Sequence, residues 1–202
     1  MNDFAMIYHW WNDSGLPVVE DMANPVILSI ITVRHFHKDL PIYVLDISET
    51  LNDWGEFPSI LNFEVVKRSA PKEVLNHFKL AKGTSRIWDI TWMADQIESN
   101  KIIFCDSDIF WIDPVFPLLG FDADPKFETF HCGMNNGFFY YDKTSFASNE
   151  VWGKVKDIAE ERDDFFSDRR LLQDERIFRR VIETTDFFTP VSFKENNIIF
   201  AG

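Results

Sequence analysis

Residues 101–111 read Lys-Ile-Ile-Phe-Cys-Asp-Ser-Asp-Ile-Phe-Trp, and this stretch decides the fold prediction. Its first part is a short apolar run typical of a buried strand, and Asp106 and Asp108 follow that run directly. Open α/β sheets bind their ligands at the carboxyl ends of their strands. On an extended backbone, side chains two residues apart point to the same side. The stretch therefore predicts a ligand site at a strand end, with both carboxylates facing it.

Two neighbouring carboxylates repel each other unless a cation lies between them or one of them takes a proton. Oxygen ligands favour Mg²⁺ or Mn²⁺ over zinc. Such a cation would bridge the diphosphate of a nucleotide-sugar and neutralise the charge that develops on the leaving nucleoside diphosphate. The chain has neither common glycine-rich phosphate loop and contains only eight glycines. The sequence therefore predicts that phosphate is bound through a metal held by Asp106 and Asp108.

The composition is that of an acidic globular protein. The 202 residues carry a net charge of −13, and 46% of them are hydrophobic and 16% aromatic, which excludes a disordered chain. No Lys/Arg cluster interrupts the acidic surplus, so binding to a nucleic-acid backbone is not expected. The length fits a single domain over residues 1–202.

Cysteine content and hydropathy bear on the compartment. Two cysteines, Cys105 and Cys132, do not form a disulfide framework, which indicates a reducing compartment. The first residues lack the basic segment and apolar core of a signal peptide. No apolar stretch approaches the roughly 18 residues that span a bilayer. We therefore expect a cytoplasmic protein without a membrane span.

Short apolar runs alternate with amphipathic segments along the whole chain, which predicts an α/β fold. Strands are predicted at 5–11, 42–47, 63–67, 101–105, 126–131, 137–142 and 198–200. Helices are predicted at 25–36, from residue 84 or 85 to 99, at 149–162 and at 171–183. The first helix has Asn24 as its expected N-cap and Pro25 at its first position.

Several segments between residues 5 and 200 resemble, in order, the motifs of the GT-A glycosyltransferases, especially the glycogenin and lipopolysaccharide-galactosyltransferase branch. Residues 102–109 resemble its metal strand, and Asp113-Pro114 its exit turn. The run Thr84-Ser85-Arg86-Ile87-Trp88-Asp89 resembles the helix start that precedes this strand. The resemblance implies a GT-A, Rossmann-like fold with a mixed, mainly parallel sheet flanked by helices. It also implies metal-dependent sugar transfer from a nucleotide-diphosphate sugar, with a UDP-sugar as the expected donor, to a carbohydrate or glycoconjugate acceptor.

The same resemblance implies roles for individual residues. Asn135-Asn136-Gly137 matches a segment that places an asparagine near the transferred sugar, and Gln173-Asp174-Glu175 matches an acidic motif that touches the donor or acceptor sugar. Asp174 or Glu175 would act as the general base if the reaction inverts configuration. The donor site is expected to contain Tyr8, Trp10, Asp13, Arg86, Asp89, Asp106, Asn135, Asn136 and Gly137.

Each of these residues also has an ordinary structural alternative. Tyr8 and Trp10 could pack in the core. Arg86 could pair with Asp89 on its own helix. The two asparagines and the glycine are common turn residues, and carboxylates are favoured in the first turn of any helix.

The chain departs from the family at its last residues. Family members carry a histidine there as third metal ligand, in a His-aromatic-small-Gly run. The corresponding residues here are Ile199-Phe200-Ala201-Gly202, with isoleucine in place of the histidine. Either His131 substitutes for it, or the cation relies on water and the diphosphate.

Two other functions stay open on the sequence alone. Residues 104–108 also resemble the motif of haloacid-dehalogenase-type phosphohydrolases, but those enzymes place it on the first strand and carry Thr or Ser at the position of Phe110. The other alternative is a non-catalytic domain that binds a nucleotide-sugar or a carbohydrate, which the missing histidine favours.

Overall fold

The structure of the protein is a computed structural model. It describes residues 3–10, 24–48, 53–68, 89, 92–114, 126–130, 133–160, 181, 184, 189–191 and 199–200.

Four parallel strands form one half of a seven-stranded sheet. They are β1 (Phe4–Trp10), β2 (Ile42–Asp46), β3 (Glu64–Lys67) and β4 (Lys101–Cys105), in the spatial order β3-β2-β1-β4. The chain proceeds from β1 to β2 and β3 on one side, and then places β4 on the other side of β1. The boundary between β1 and β4 is therefore the topological switch point, where open α/β sheets bind ligands.

The second half of the sheet mixes strand directions. After the two-residue strand β5 (Ile109–Phe110) come β6 (Lys126–Phe130) and β7 (Gly133–Asp142), and the sheet ends with β8 (Thr189–Val191) in the order β4-β7-β6-β8. Strand β7 is antiparallel to β4 and β6, whereas β6 and β8 are parallel. Of the seven strands only β7 therefore runs against the others, and the predicted mixed, mainly parallel sheet is confirmed.

Helices cover both faces of the sheet. Helix α1 (Pro25–Phe36) packs on the face that carries Met6 and Tyr8. Helix α3 (Phe146–Glu160) and the helical residues 92–96 pack on the opposite face. The alternation of β1 between these two clusters follows from the two-residue period of a strand. One further turn of helix, α2 (Phe57–Ile60), lies between β2 and β3.

An aromatic cluster joins α3 to the centre of the sheet. The Trp152 ring stacks on Phe104 with 5.7 Å between ring centroids and an interplanar angle of 12°. It also contacts Phe139 at 5.2 Å and Tyr141 at 5.6 Å. All four rings are buried, so this cluster is a major source of the burial free energy between helix and sheet.

Most predicted elements are confirmed. Helix α1 has the predicted bounds, and its N-cap forms because the Val26 backbone N–H donates to Asn24 Oδ1 at 3.0 Å. Strand β4 also has the predicted bounds. The short elements α2, β5 and β8 were not predicted, because two to four residues show no periodicity. The predicted helix at 171–183 lies outside the described residues except for Val181, which is helical.

Two smaller expectations can be compared with the structure. The Cys105 side chain is buried at the end of β4, and Cys132 lies outside the described residues. Over the part of the chain that the structure covers, no helix combines the length and the apolarity needed to cross a bilayer.

β9 (Ile199–Phe200) forms a separate two-stranded ribbon with β5. The two strands are antiparallel, and Ile109 is paired with Phe200. Ile199, which stands at the position of the histidine in the sequence resemblance, therefore lies beside Phe110, two residues after Asp108.

Candidate functional site

The acidic triplet forms a turn and is not an extension of β4. The Ile109 backbone N–H donates to the Asp106 carbonyl at 3.4 Å, a long bond that closes the turn between β4 and β5. Asp106, Ser107 and Asp108 are all half-buried. The extended backbone predicted for the pair is therefore wrong, because the chain reverses directly after Cys105. Any convergence of the two carboxylates must come from the turn and not from strand alternation.

The acidic turn lies at the switch point, next to β7. The Asp106 backbone N–H donates to the Gly137 carbonyl at 2.7 Å. Asn135 and Asn136 precede Gly137 on the same strand, although their side chains lie outside the described residues. The sheet thus brings two sequence-predicted segments together, the acidic triplet and the asparagine segment.

The carboxylates available for a cation can be named. Within the described ranges no residue forms an ion pair with Asp108. No group of three or more His, Cys, Asp and Glu side chains arranged to hold a metal occurs in that same part of the chain. In the described part, no third His, Cys, Asp or Glu side chain therefore joins the two carboxylates of the turn in such a group. His131 lies outside it.

Tyr8 is a core residue. Its side chain is completely buried, and its hydroxyl forms a 2.8 Å hydrogen bond with Ser29 Oγ. Burial is the main cause that raises the pKa of this phenol well above its usual range. A ring without accessible surface has no face open to a nucleobase, so in this structure Tyr8 packs in the core as the structural alternative expected. Its donor contact stays a prediction.

Trp10 occupies a more open position at the carboxyl end of β1. The residue is half-buried, and its ring meets the edge of Trp54 at 6.2 Å between centroids. Its Nε1–H is buried without a hydrogen-bond partner among the residues that can be described. Trp10 therefore stays a donor-site prediction, placed at the switch point.

Asp89 is the centre of a buried charged cluster. Its fully buried carboxylate contacts His9 Nε2 through Oδ2 at 3.2 Å and Arg68 Nη1 through Oδ1 at 3.0 Å. The Arg68 contact is an ion pair without hydrogen-bond alignment. Arg68 in turn lies over the Trp92 ring, with Cζ 4.7 Å from its centroid. In this structure both carboxylate oxygens of Asp89 contact protein side chains and none of its side chain is exposed. Its donor contact stays a prediction.

A second polar cluster at the strand ends was missed by the sequence reasoning. Asp46 ends β2, and its carboxylate accepts hydrogen bonds from the Ser48 backbone N–H at 2.9 Å and from Trp54 Nε1–H at 3.3 Å. The ammonium group of Lys67, at the end of β3, lies 3.4 Å from Asp46 Oδ1.

The positions of polar residues at strand ends could have predicted the clusters around Asp46 and Asp89. His9, Asp46 and Lys67 each lie at the end of a predicted apolar strand. Parallel strands bring such ends to one edge of the sheet. The edge that holds the acidic turn therefore also holds these polar residues, in the lateral order Lys67 and Arg68, Asp46, His9, Asp106.

The remaining nominated residues cannot be placed. They lie outside the described residues and are Asp13, Arg86, Asp174 and Glu175. The predictions made for them stay predictions.

A groove of about 480 Å³ opens elsewhere on the molecule. Its lining includes Tyr43, Glu64, Trp92 and Glu98, and burial and the two carboxylates raise the pKa of the Tyr43 phenol. Its lining comes from residues 92–99, which lead into β4, and from the beginnings of β2 and β3, so the groove lies at the opposite end of these strands from the acidic turn. Position in the fold therefore favours the acidic turn over this groove as the candidate site.

Comparisons with known proteins establish the fold. No family model matches the chain, and no curated protein sequence does. The mouse xyloside xylosyltransferase 1 structure superposes with a TM-score of 0.59 at 11% identity, covering 94% of this chain and 85% of that one. Galactosyltransferase LgtC, in complex with donor and acceptor sugar analogues, gives 0.60 at 10% identity, covering 92% and 72%.

A third structure with the same fold carries the name of a different activity. The Bacillus anthracis structure named as a glucose-1-phosphate thymidylyltransferase gives a TM-score of 0.55 at 10% identity, covering 94% and 86%. Structural similarity at identities this low shows a shared fold and does not show a shared reaction. The chain is similar to all three in architecture, and it has the GT-A fold of nucleotide-diphospho-sugar transferases.

Proposed function

We propose that this protein is a metal-dependent glycosyltransferase that moves a sugar from a nucleotide-diphosphate sugar to a carbohydrate or glycoconjugate acceptor. The observation that carries the proposal is the half-buried acidic turn Asp106-Ser107-Asp108 at the β1–β4 switch point of a GT-A sheet. A UDP-sugar is the donor that the sequence resemblance suggests.

The residues of the turn fit Mn²⁺ or Mg²⁺. Both ions prefer oxygen ligands, and the turn offers two carboxylates. The protein has a net charge of −13, so a diphosphate approaching these carboxylates needs a cation to offset the repulsion. The ion, when bound, would stabilise the charge that develops on the leaving nucleoside diphosphate.

Residues of this chain also hold the parts of the proposed site in position. Hydrogen bonding between Asp106 and Gly137 ties the turn to β7, so the metal ligands and the asparagine segment are held on neighbouring strands. Trp10 adds a half-buried indole at the adjoining strand end. Asp174 or Glu175 is proposed to accept the proton of the attacking hydroxyl if the reaction inverts configuration.

The alternatives from the sequence are weaker but testable. A haloacid-dehalogenase-type hydrolase is disfavoured because the acidic triplet follows the fourth strand of a GT-A sheet and not the first. A non-catalytic binder shares the donor site and differs only in turnover.

Calorimetric binding of UDP with and without Mn²⁺ tests the proposal. We expect UDP to bind only in the presence of the metal, and Asp108→Asn to abolish that binding. Asp113→Asn is the matched control, since Asp113 is exposed and five residues further along the chain. Metal-independent binding, or full binding by the Asp108 variant, would contradict the proposed role of the turn.

Product analysis separates the possible reactions. Incubation of UDP-sugars with Mn²⁺ and no acceptor should release UDP slowly from a glycosyltransferase. A binder would raise the melting temperature with donor and release nothing. Phosphate release from a generic phosphomonoester would indicate a hydrolase. Pyrophosphate release from a nucleoside triphosphate and a sugar 1-phosphate would indicate a nucleotidyltransferase.

A further inference from the structure

Two side chains of α1 form hydrogen bonds with the backbone of β5 and of the residue that follows it. The hydroxyl of Ser29 donates to the Ile109 carbonyl, and Thr32 Oγ1 accepts from the Trp111 backbone N–H at 3.0 Å. Ser29 and Ile109 are fully buried. Two hydroxyls of one helix therefore hold the backbone directly after Asp108.

Tyr8 completes a directed chain of hydrogen bonds. A carbonyl can only accept, so the single hydroxyl proton of Ser29 goes to Ile109. The 2.8 Å bond between the two hydroxyls must then be donated by Tyr8 to Ser29 Oγ. The chain runs from Tyr8 through Ser29 to Ile109, and such chains strengthen each member in a low-dielectric interior.

The same phenol also reaches the strand that enters the turn. Tyr8 is the β1 partner of Cys105, the residue before Asp106. A phenol is protonated at neutral pH, and burial raises the pKa of Tyr8 further, so the hydroxyl remains a donor. Tyr8 is thus linked to the chain on both sides of the acidic triplet, to Cys105 by strand pairing and to Ile109 through Ser29.

We infer that Tyr8 and Ser29 are positioning residues that hold the Asp106–Asp108 turn in the shape that binds the cation. Packing alone would be served by phenylalanine and alanine at these two positions. The hydroxyls of Tyr8 and Ser29 instead connect β1, α1 and β5 next to the turn that carries the carboxylates. The inference rests on the proposed function, because it assumes that the turn holds a metal ion.

The test measures metal affinity and stability separately. Mn²⁺ is titrated into each protein in the presence of UDP, and free Mn²⁺ is followed by electron paramagnetic resonance. Tyr8→Phe removes only one hydroxyl, and we expect Mn²⁺ to bind roughly fivefold more weakly. Ser29→Ala should weaken binding at least as much. The double variant should be no worse than Ser29→Ala, because both groups act through one chain.

The control is Tyr140→Phe. Tyr140 is as buried as Tyr8 and belongs to the same core cluster, but it pairs with Ile103 and not with the turn. Its Mn²⁺ affinity should equal that of the unmodified protein. Urea unfolding of all variants supplies the free energy of unfolding, which a purely structural role would change without changing Mn²⁺ affinity.

The outcomes separate the inference from the proposed function. If the unmodified protein binds Mn²⁺ and both variants bind it equally well, the positioning role is refuted and the proposed function stands. If the unmodified protein binds no Mn²⁺, the proposed function fails, and the inference fails with it. Should Tyr8→Phe not fold, Ser29→Ala carries the same comparison.

Discussion

Replacing Asp89 by alanine removes the only carboxylate seen between His9 and Arg68 in the described structure. The Asp89 side chain is fully buried, and the side chains of His9 and Arg68 are 4% and 18% exposed. Two unit charges at 3.0 Å interact by about 5 kcal/mol at an effective dielectric constant near 20. Desolvation offsets part of this, and breaking a buried pair costs about 3–5 kcal/mol in practice. Since Arg68 can partly turn to solvent, we expect a loss near the lower value, about 3 kcal/mol.

Urea unfolding followed by circular dichroism measures this loss. With a slope of about 2 kcal/mol per M, the midpoint should fall by about 1.5 M while the slope stays constant. Asp95→Asn is the matched control, because Asp95 is an exposed carboxylate on the neighbouring helical residues, and it should change stability by less than about 0.5 kcal/mol.

A double-mutant cycle then tests the cause. Arg68→Met should cost less in the Asp89→Ala background than in the unmodified protein, because the Arg68 guanidinium has already lost its contact with Asp89 there. A loss below about 1 kcal/mol for Asp89→Ala, or strict additivity in the cycle, would refute the idea that this buried cluster stabilises the fold.

Three further predictions concern single residues. Trp152→Ala should lower the free energy of unfolding by about 4 kcal/mol in a urea titration, because it empties the centre of the aromatic cluster. Phe146→Ala is the control: Phe146 is 72% exposed, and its replacement should change the free energy of unfolding by less than about 0.5 kcal/mol. Asn24→Ala should cost about 1 kcal/mol through loss of the α1 cap, and Asn24→Gly only a few tenths by the same measurement. Burial lowers the pKa of His37, so the unfolded chain binds its proton more readily and stability should fall as pH drops below about 6.5. Thermal melts across this range should show a weaker pH dependence for His37→Gln, and an unchanged dependence would remove His37 as its source.

The fold was largely predictable because local patterns carry it. Strand β4 and helix α1 have the predicted bounds, since a five-residue apolar run and a capped helix with proline at its start are local signals. The elements that escaped prediction are the short ones, α2, β5 and β8. Strands β5 and β8 are made by pairing with residues far along the chain, and α2 is a single helical turn too short to show a period.

The candidate site was likewise predictable only in part. The residue types and the strand end were evident from the sequence, but the direction of the Asp106 and Asp108 side chains was not. The Ile109 N–H closes the turn on the Asp106 carbonyl, and the Asp106 N–H ties the turn to Gly137 on β7, a contact across 31 residues of chain. The burial of Tyr8 and Asp89 was not evident either, because nothing local distinguishes a buried polar residue from an exposed one.

The sequence by itself determined the class of fold and the acidic triplet that ends a buried strand, and it predicted a cation beside any diphosphate bound by this anionic chain. Only the tertiary structure decided which residues meet. It paired Asp89 with His9 and Arg68, placed Tyr8 beneath the acidic turn, and set Asp46 beside Lys67. The physical reason is the distance along the chain over which each property is determined. Periodicity and charge are properties of neighbouring residues, whereas burial and hydrogen bonding depend on strands brought together from distant parts of the chain.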